Sequence, residues 1–351
     1  MTRRRGRLGR AGSLLLTTAV AVLALGTLAA GGATAQTAVE DCREITEPGE
    51  YALAGNLSGG GAAACLRIRT SDVVLDGGGD AVVGNGSGTG TVGVLVEPPT
   101  DERLQNVTVS NLTTTGWETG ITYRGAVASG TVRNVTAENN RDGVVVDPAY
   151  EFAPADGTIE IVAVRAVGNE RWGVTLRPGA DGERLTDIVA RNNDAGIVAV
   201  DVRNLALSDT RATNNTAGIQ LGDATAATLR NATVSDNART GLWAGNGFDD
   251  GRLLDLTATD NGGSGVTLGP ASNVTFGNAT ATDNEGSGLV VRDASSIRVR
   301  DLTVTGNRLW GLDFDGVTDA RLVNVTADAN GAGLYTATGS ENITIRSIRG
   351  T

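Results

Sequence analysis

Asn261-Gly262-Gly263-Ser264-Gly265-Val266-Thr267-Leu268, Asn284-Glu285-Gly286-Ser287-Gly288-Leu289-Val290-Val291 and Asn307-Arg308-Leu309-Trp310-Gly311-Leu312-Asp313-Phe314 are three copies of one pattern. In each, an Asn stands four residues ahead of a Gly, and the Gly opens a stretch of the form Gly-aliphatic-x-apolar. The three glycines are 23 residues apart. The same opening occurs earlier at Gly93, Gly120, Gly143, Gly173, Gly196, Gly218 and Gly241, and later at Gly333. All but two of the intervals are 22 to 24 residues long. Those of 27 and 30 hold turn-forming insertions, Glu97-Pro98-Pro99-Thr100-Asp101 and the stretch from Asp147-Pro148 to Asp156-Gly157. A period held this closely from Gly93 to Gly333 marks a solenoid, in which each repeat packs only on its neighbours.

About ten residues upstream of the Gly, a second run alternates with period two, as strands do when successive side chains face opposite ways. It reads Val107-x-Val109, Val274-x-Phe276, Ile297-x-Val299, Leu322 to Val325 and Ile343-x-Ile345. Between the two runs lies the Asn: Asn139, Asn169, Asn192, Asn214, Asn237, Asn261, Asn284 and Asn307. Asn accepts the left-handed backbone of a tight corner, and its amide can bond the same amide one coil away. Identical corners stacked at about 4.8 Å predict an Asn ladder. Leucine-rich repeats share the period but need a Leu-x-x-Leu-x-Leu frame and a helical return, and left-handed hexapeptide helices need multiples of six. Neither fits. The prediction is an all-β, single-stranded right-handed parallel β-helix of about ten to eleven coils, roughly 50 Å long, with its repeats over 81–351.

Composition agrees. Fifty glycines stand beside four Phe, four Tyr, four Trp and one Met, too few large side chains for a wide core but enough aliphatics for a thin one. All 29 basic residues are Arg. Five of them precede residue 36, leaving 24 against 40 acids, a net of −16. That balance argues against nucleic acid and anionic membranes as partners. Absence of Lys with an acidic excess also resembles the proteins of halophiles, where salt shortens the Debye length to about 3 Å at 1 M.

Residues 1–35 read as an export signal rather than structure: a twin-arginine-like start at Arg3-Arg4-Arg5, a diluted apolar run from Ser13 to Ala30, and a small-residue cleavage site at Ala33-Thr34-Ala35. No membrane span is expected after its removal. Residues 36–80 form a cap and first coil. They contain both cysteines, Cys42 and Cys65, which an oxidising compartment would join; closing that loop contributes roughly 3 kcal/mol in the chain-entropy account.

The repeat and its Asn corners, with the lead-in from Cys42 through Pro48-Gly49-Glu50-Tyr51 to Val73-Val74-Leu75-Asp76-Gly77-Gly78-Gly79, resemble the NosD-type β-helix repeat proteins of the pectin-lyase-like superfamily, in particular secreted members from halophiles. The resemblance covers nearly all of the chain beyond residue 36. It implies the fold, and leaves activity open among lyases, hydrolases, epimerases, adhesins and inert scaffolds. Copper delivery, for which NosD-type proteins are named, needs soft donors; this chain has no His, and its one Met is Met1. The His-assisted hydrolases and epimerases of the superfamily find no counterpart either.

What remains is Asp, Arg and aromatic chemistry. Asp236, Asp260 and Asp283 hold one corner position on three coils and are calcium candidates, against the simpler reading of an acidic, salt-screened face. Asp313, Asp315 and Asp319 offer an acid pair, beside Arg, for lyase or glycosidase chemistry. Trp172, Trp243, Trp310 and Tyr335 are candidates for stacking on sugar rings, with Gln220, Trp243, Thr267, Val290, Asp313 and Tyr335 expected in one outward column. Asn-x-Ser/Thr sequons recur, partly because Asn-Val-Thr is the repeat itself, and one or two are expected to carry glycans. The final strand, Ile343–Ile348, leaves an open parallel edge suited to self-association. These features together predict an exported scaffold or interaction protein contacting carbohydrate; the opposing prediction is a lyase-type enzyme using Asp with calcium and Arg.

Overall fold

The computed structural model describes residues 36–59, 63–86, 90–100, 102–148 and 157–350. The expected export signal lies outside the described residues. Among them every regular element is a β-strand, and every strand pairing is parallel. The strands form two sheets of 13 and 17 strands that face each other across one aliphatic core. The chain is a right-handed parallel β-helix.

The coil around Asn192 shows how the sequence makes one turn. Arg184–Arg191 runs along the larger sheet, Asn192 and Asn193 turn the corner, Ala195–Arg203 runs along the smaller sheet, and Asn204 leads into Ala206–Thr213 one level up. Leu185, Ile188, Ala190, Ile197, Ala199 and Val202 point inward and are fully buried. Ile197 pairs with Ile219 and Ala190 with Ala212, so like residues stack in files. Stacking brings each file residue to about 4.8 Å from the next, which is why small and β-branched side chains suffice to fill the core.

Thirteen strands in the smaller sheet mean thirteen coils, two to three more than the glycine count predicted. The first two coils escaped that count because cysteines occupy the glycine position. Arg43 pairs with Leu66 and Leu66 with Val94, so Cys42, Cys65 and Gly93 lie in one file. The Cys42–Cys65 disulfide therefore ties two successive rungs, with Cα atoms 4.5 Å apart.

The upstream run is not one straight strand. In Arg184–Arg191 the residues Thr186 and Asp187 both face outward, since Asp187 takes the left-handed conformation (φ 56°) and reverses the alternation. The same left-handed corner recurs at Asp209, Asn231, Asp255, Asn278, Asp301 and Asn324. From Asp209 onward acid and amide alternate from coil to coil, and each Asn donates to the Asp before it: Asn231 to Asp209 (2.6 Å), Asn278 to Asp255 (2.9 Å), Asn324 to Asp301 (2.6 Å). An all-Asp file would stack like charges about 4.8 Å apart; alternation replaces that repulsion with charge-assisted hydrogen bonds.

The buried ladder runs through Asn140, Asn169, Asn193, Asn215, Asn237, Asn261, Asn284, Asn307 and Asn330. Each side-chain amide donates to the side-chain oxygen of the next rung at 2.9–3.3 Å. It also donates to the carbonyl that ends a strand one coil back, as Asn261 does to Val234 O at 3.1 Å. The side-chain oxygen accepts the backbone N–H as well as the amide of the preceding rung, as with Asn237 onto Asn261. Asn139, Asn192 and Asn214 are not rungs. They are the left-handed corner residues just before the rungs (φ 51°, 57° and 54°). In those coils the link from rung to glycine is one residue shorter, so a count of four back from the glycine stops on the corner.

The glycine file exists because the ladder fills the space where a Cβ would go. A methyl on Gly241 would fall 2.7 Å from Asn261 Nδ2 and 2.8 Å from the Gly265 carbonyl oxygen. Ladder and glycine file are one device.

Replacing Asn261 with Ala leaves the Asn237 N–H and the Val234 carbonyl buried and unpaired. At about 1–3 kcal/mol per orphaned group, a loss near 3 kcal/mol is expected in guanidinium unfolding. Asp260→Asn at the adjacent exposed corner should lie within about 0.5 kcal/mol of the parent.

Candidate functional site

Outward positions on the smaller sheet are the fourth residue after each file glycine or cysteine and the second. From the coil of Gly93 the fourth-residue file runs Glu97, Arg124, Asp147 and Arg177, with ion pairs along the stack: Glu97 with Arg124 (3.9 Å) and with Arg67 of the second-residue file (3.4 Å), and Asp147 with Arg177 (3.7 Å). It then loses its side chains. Val200 is followed by Gly222, Gly245 and Gly269 on three successive coils, and the file resumes with Arg292 and Asp315. The second-residue file alongside carries Gln220, Trp243 and Thr267.

These two files meet at Trp243. A methyl on Gly245 would lie 2.6 Å from its Cζ2, and one on Gly222 3.4 Å from its Cζ3. The indole therefore lies flat over two bare backbone segments with its other face outward. On the far side of the glycines the left-handed corners Asp223 and Asn246 carry exposed polar side chains. The result is a level floor about 14 Å long from Val200 to Gly269, bearing one pinned aromatic ring with amide and carboxylate groups beside it. Such a surface can hold a sugar by C–H contact with the ring and hydrogen bonds to hydroxyls.

The other aromatic candidates are placed differently. Trp172 is capped by the Arg171 guanidinium, 3.6 Å from the ring centroid, and packs with Ala195, Val198 and Ala217 in a satellite cluster. Arg171 is itself held by Asp142 at 3.1 and 3.0 Å. Burial pushes the Asp142 carboxyl up in pKa, against the opposing charge of Arg171. Trp310 shares the position before its glycine with Trp172 but lies six coils away. Tyr335 was expected beside Asp313; it pairs with Leu312 instead, and Thr336 pairs with Asp313. The last coil keeps the four-residue link from its rung Asn330, and its glycine comes one residue early, so Leu334 rather than Gly333 enters the glycine file. Trp117, three residues before Gly120, is buried and donates its ring N–H to Val82 O at 2.9 Å.

Asp313 and Asp315 lie on one strand and share a single guanidinium, Arg292, at 3.3 and 3.2 Å. Asp319 does not join them. It is a left-handed corner (φ 58°) on the larger sheet's side and accepts a hydrogen bond from Asn342 at 3.0 Å. Asp236, Asp260 and Asp283 follow one another as exposed left-handed corners next to the buried ladder. Among the described residues no group of three or more His, Cys, Asp and Glu is arranged to hold a metal ion. A wider groove of about 440 Å³ lies over Asp76, Gly78, Gly79, Asn111 and Asn134, but its polar groups are bonded to each other: Asn111 to Asp76 at 3.0 Å and Asn134 to Asn111 at 2.7 Å.

Residues 56–255, more than half of the sequence, match the family model described as periplasmic copper-binding protein (NosD). The chain belongs to the NosD family. Residues 217–347 also match the model of the right handed beta helix region. The copper of the family description does not fit this member: it has no His, its single Met is Met1, and both thiols are spent in the disulfide. Solved structures similar to this NosD-family chain include the periplasmic alginate epimerase AlgG (13% identity, TM-score 0.54, 86% of this chain and 76% of that one). The A-module of the mannuronan C-5 epimerase AlgE4 from Azotobacter vinelandii is similar at 17% identity and TM-score 0.53, over 86% and 87% of the two chains. Tailspike protein 3 of bacteriophage CBA120 is similar at 12% identity and TM-score 0.58, over 86% and 52%. These likenesses show the fold. No curated protein matches the chain in sequence. Among the described residues no helix is long and apolar enough to cross a membrane.

If the glycine floor fixes Trp243, Gly245→Ala should lift its ring from the sheet. The expected outcome is a rise in the acrylamide-quenchable fraction of tryptophan fluorescence, absent when the same substitution is made on a Trp243→Phe background.

Proposed function

We propose that this NosD-family chain is an exported scaffold, periplasmic or displayed at the cell surface, that holds a polysaccharide along the outer face of its smaller sheet. The observation that carries the reading is Trp243, flat over Gly222 and Gly245 with its free face outward. The disulfide supports a compartment outside the cytoplasm, and the family description is of a periplasmic protein. AlgG and AlgE4 use the same architecture, and are named for alginate and mannuronan.

The charges beside the floor narrow the ligand. Arg67, Arg124, Arg177 and Arg292 all have carboxylate partners, and the whole chain carries −11. A polyanion would have to displace those partners and approach a surface of its own sign. A neutral polymer meets no such opposition. Its hydroxyls would bond to Gln220, Asp223 and Asn246 while one pyranose face rests on Trp243.

Binding to neutral and uronate polysaccharides by affinity electrophoresis tests the proposal. The neutral polymer should be retarded, and Trp243→Ala should weaken it about tenfold, equivalent to about 1.4 kcal/mol, while Leu309→Ala, at an exposed apolar side chain elsewhere, leaves it unchanged. Equal binding by wild type and Trp243→Ala would sink the proposal. A second reading rests on Arg292, which bridges Asp313 and Asp315 two coils from Trp243 and so sets an Arg beside two carboxylates, the residue types a lyase would use. It predicts absorbance from unsaturated products on incubation with uronate polymers and calcium, lost in Arg292→Ala; the scaffold reading predicts a flat trace.

A further inference from the structure

We propose that the turn ending in Glu183 is a binding site for one hard divalent cation, of the calcium class, held by Glu183 and Asp181.

Among the described residues four buried side-chain polar atoms lack a hydrogen-bond partner, and Glu183 supplies the one carboxylate oxygen among them. Only 4% of it is exposed, it has no ion-pair partner among the described residues, and its Oε2 is buried without a hydrogen bond. The carboxylate faces a small cavity of about 20 Å³, lined also by Tyr123, Gly125, Val127, Gly157 and Asp181. The backbone N–H groups of Glu183 itself and of Ile159, which also lines the cavity, serve the carboxylate, yet Oε2 is left without a bond. The Tyr123 hydroxyl is committed to backbone carbonyls, Val107 O at 2.9 Å and Thr131 O at 3.1 Å, and burial raises its pKa, keeping it neutral. Asp181 adds a second negative charge on the same turn. One of its oxygens accepts the Arg203 N–H at 2.7 Å, and it lines the cavity as well.

A buried carboxylate oxygen left without a partner is costly, and a second acid on the same turn adds to that cost. Burial first, and the Asp181 charge second, push the Glu183 carboxyl up to about 7. A proton would neutralise one of the two acids and leave the other. A divalent cation answers both. The cavity has room for about one water-sized body, and calcium takes oxygen ligands at about 2.3–2.6 Å, carbonyls included. The acidic corners Asp236, Asp260 and Asp283 are, by contrast, exposed.

The sign of the pH dependence follows from the raised value. Without metal, the stability associated with protonated Glu183 is complete below the ordinary value of 4.5 and is lost as pH rises through about 7. Calcium should compete with that proton, so it stabilises only where the carboxylate is ionised.

The experiment is thermal unfolding of the purified, chelator-treated protein at about pH 5 and about pH 8, with and without millimolar calcium chloride, together with calorimetric titration of the ion. The expected result is a metal-free Tm that falls between the two pH values, recovery by calcium at the higher pH alone, and one ion bound per chain. Glu183→Gln should abolish both the pH-dependent fall and the response to calcium. Asp181→Asn, at a less buried side chain, should weaken calcium at least tenfold and gives a readout should the Gln variant fold poorly. No bound ion at the higher pH, with the fall in Tm untouched by calcium, would overturn the proposal in favour of a proton site. Calcium binding that survives both substitutions unchanged would overturn it equally.

Discussion

The structure depends on a stack of buried amides. A coil that turns sharply next to the core must bury polar backbone at the turn, and each buried N–H or C=O left unpaired costs about 1–3 kcal/mol. The Asn rungs remove that cost together. Their amide nitrogens serve the strand-end carbonyl of one neighbouring coil and the side-chain oxygen of the other, while their oxygens serve a backbone N–H and an amide. Asp cannot donate to the carbonyl, and an aliphatic residue can do none of it. Since each rung is completed only by its neighbours, the ladder also sets coil register. The glycine file, the inward aliphatic files and the outward platform all inherit their alignment from it.

Much of this was legible because a solenoid writes its geometry into the sequence as a period. Gly265, Gly288 and Gly311 keep time with Asn261, Asn284 and Asn307, and those alone predict parallel stacking. What was illegible were one-residue changes. The shorter link in the coils of Gly143, Gly196 and Gly218 made Asn139, Asn192 and Asn214 look like rungs when Asn140, Asn193 and Asn215 fill that place; the paired Asn residues were the available signal. The same kind of slip displaced Tyr335 from the outward file. Cys42 and Cys65 hid two coils by standing where glycine was sought, although their separation of 23 residues is one coil length.

Function was less legible because it resides in columns rather than in strings. Nothing in Gly222, Gly245 and Gly269 as separate residues points to a floor; only stacking makes them contiguous, and only then does Trp243 acquire a bed. Stacking equally separates residues that are close in sequence, as it does Asp319 from Asp313 and Asp315. Glu183 is illegible in the sequence for a related reason: a lone Glu after Asp181-Gly182 reads as a solvated turn, and its burial comes from the coils above and below. The Asp–Asn alternation at the outer corners was visible in sequence at 22–24 residue spacing, and would have marked the sequon positions Asn231, Asn278 and Asn324 as corner residues.

The account stands on which asparagines form the buried stack, and hydrogen exchange of the side-chain amides observed by NMR reads this directly. The ladder as described requires slow exchange for the side-chain NH₂ groups of Asn140, Asn193 and Asn215 and fast exchange for those of Asn139, Asn192 and Asn214. The reverse ranking, or uniformly fast exchange at all six, would contradict it.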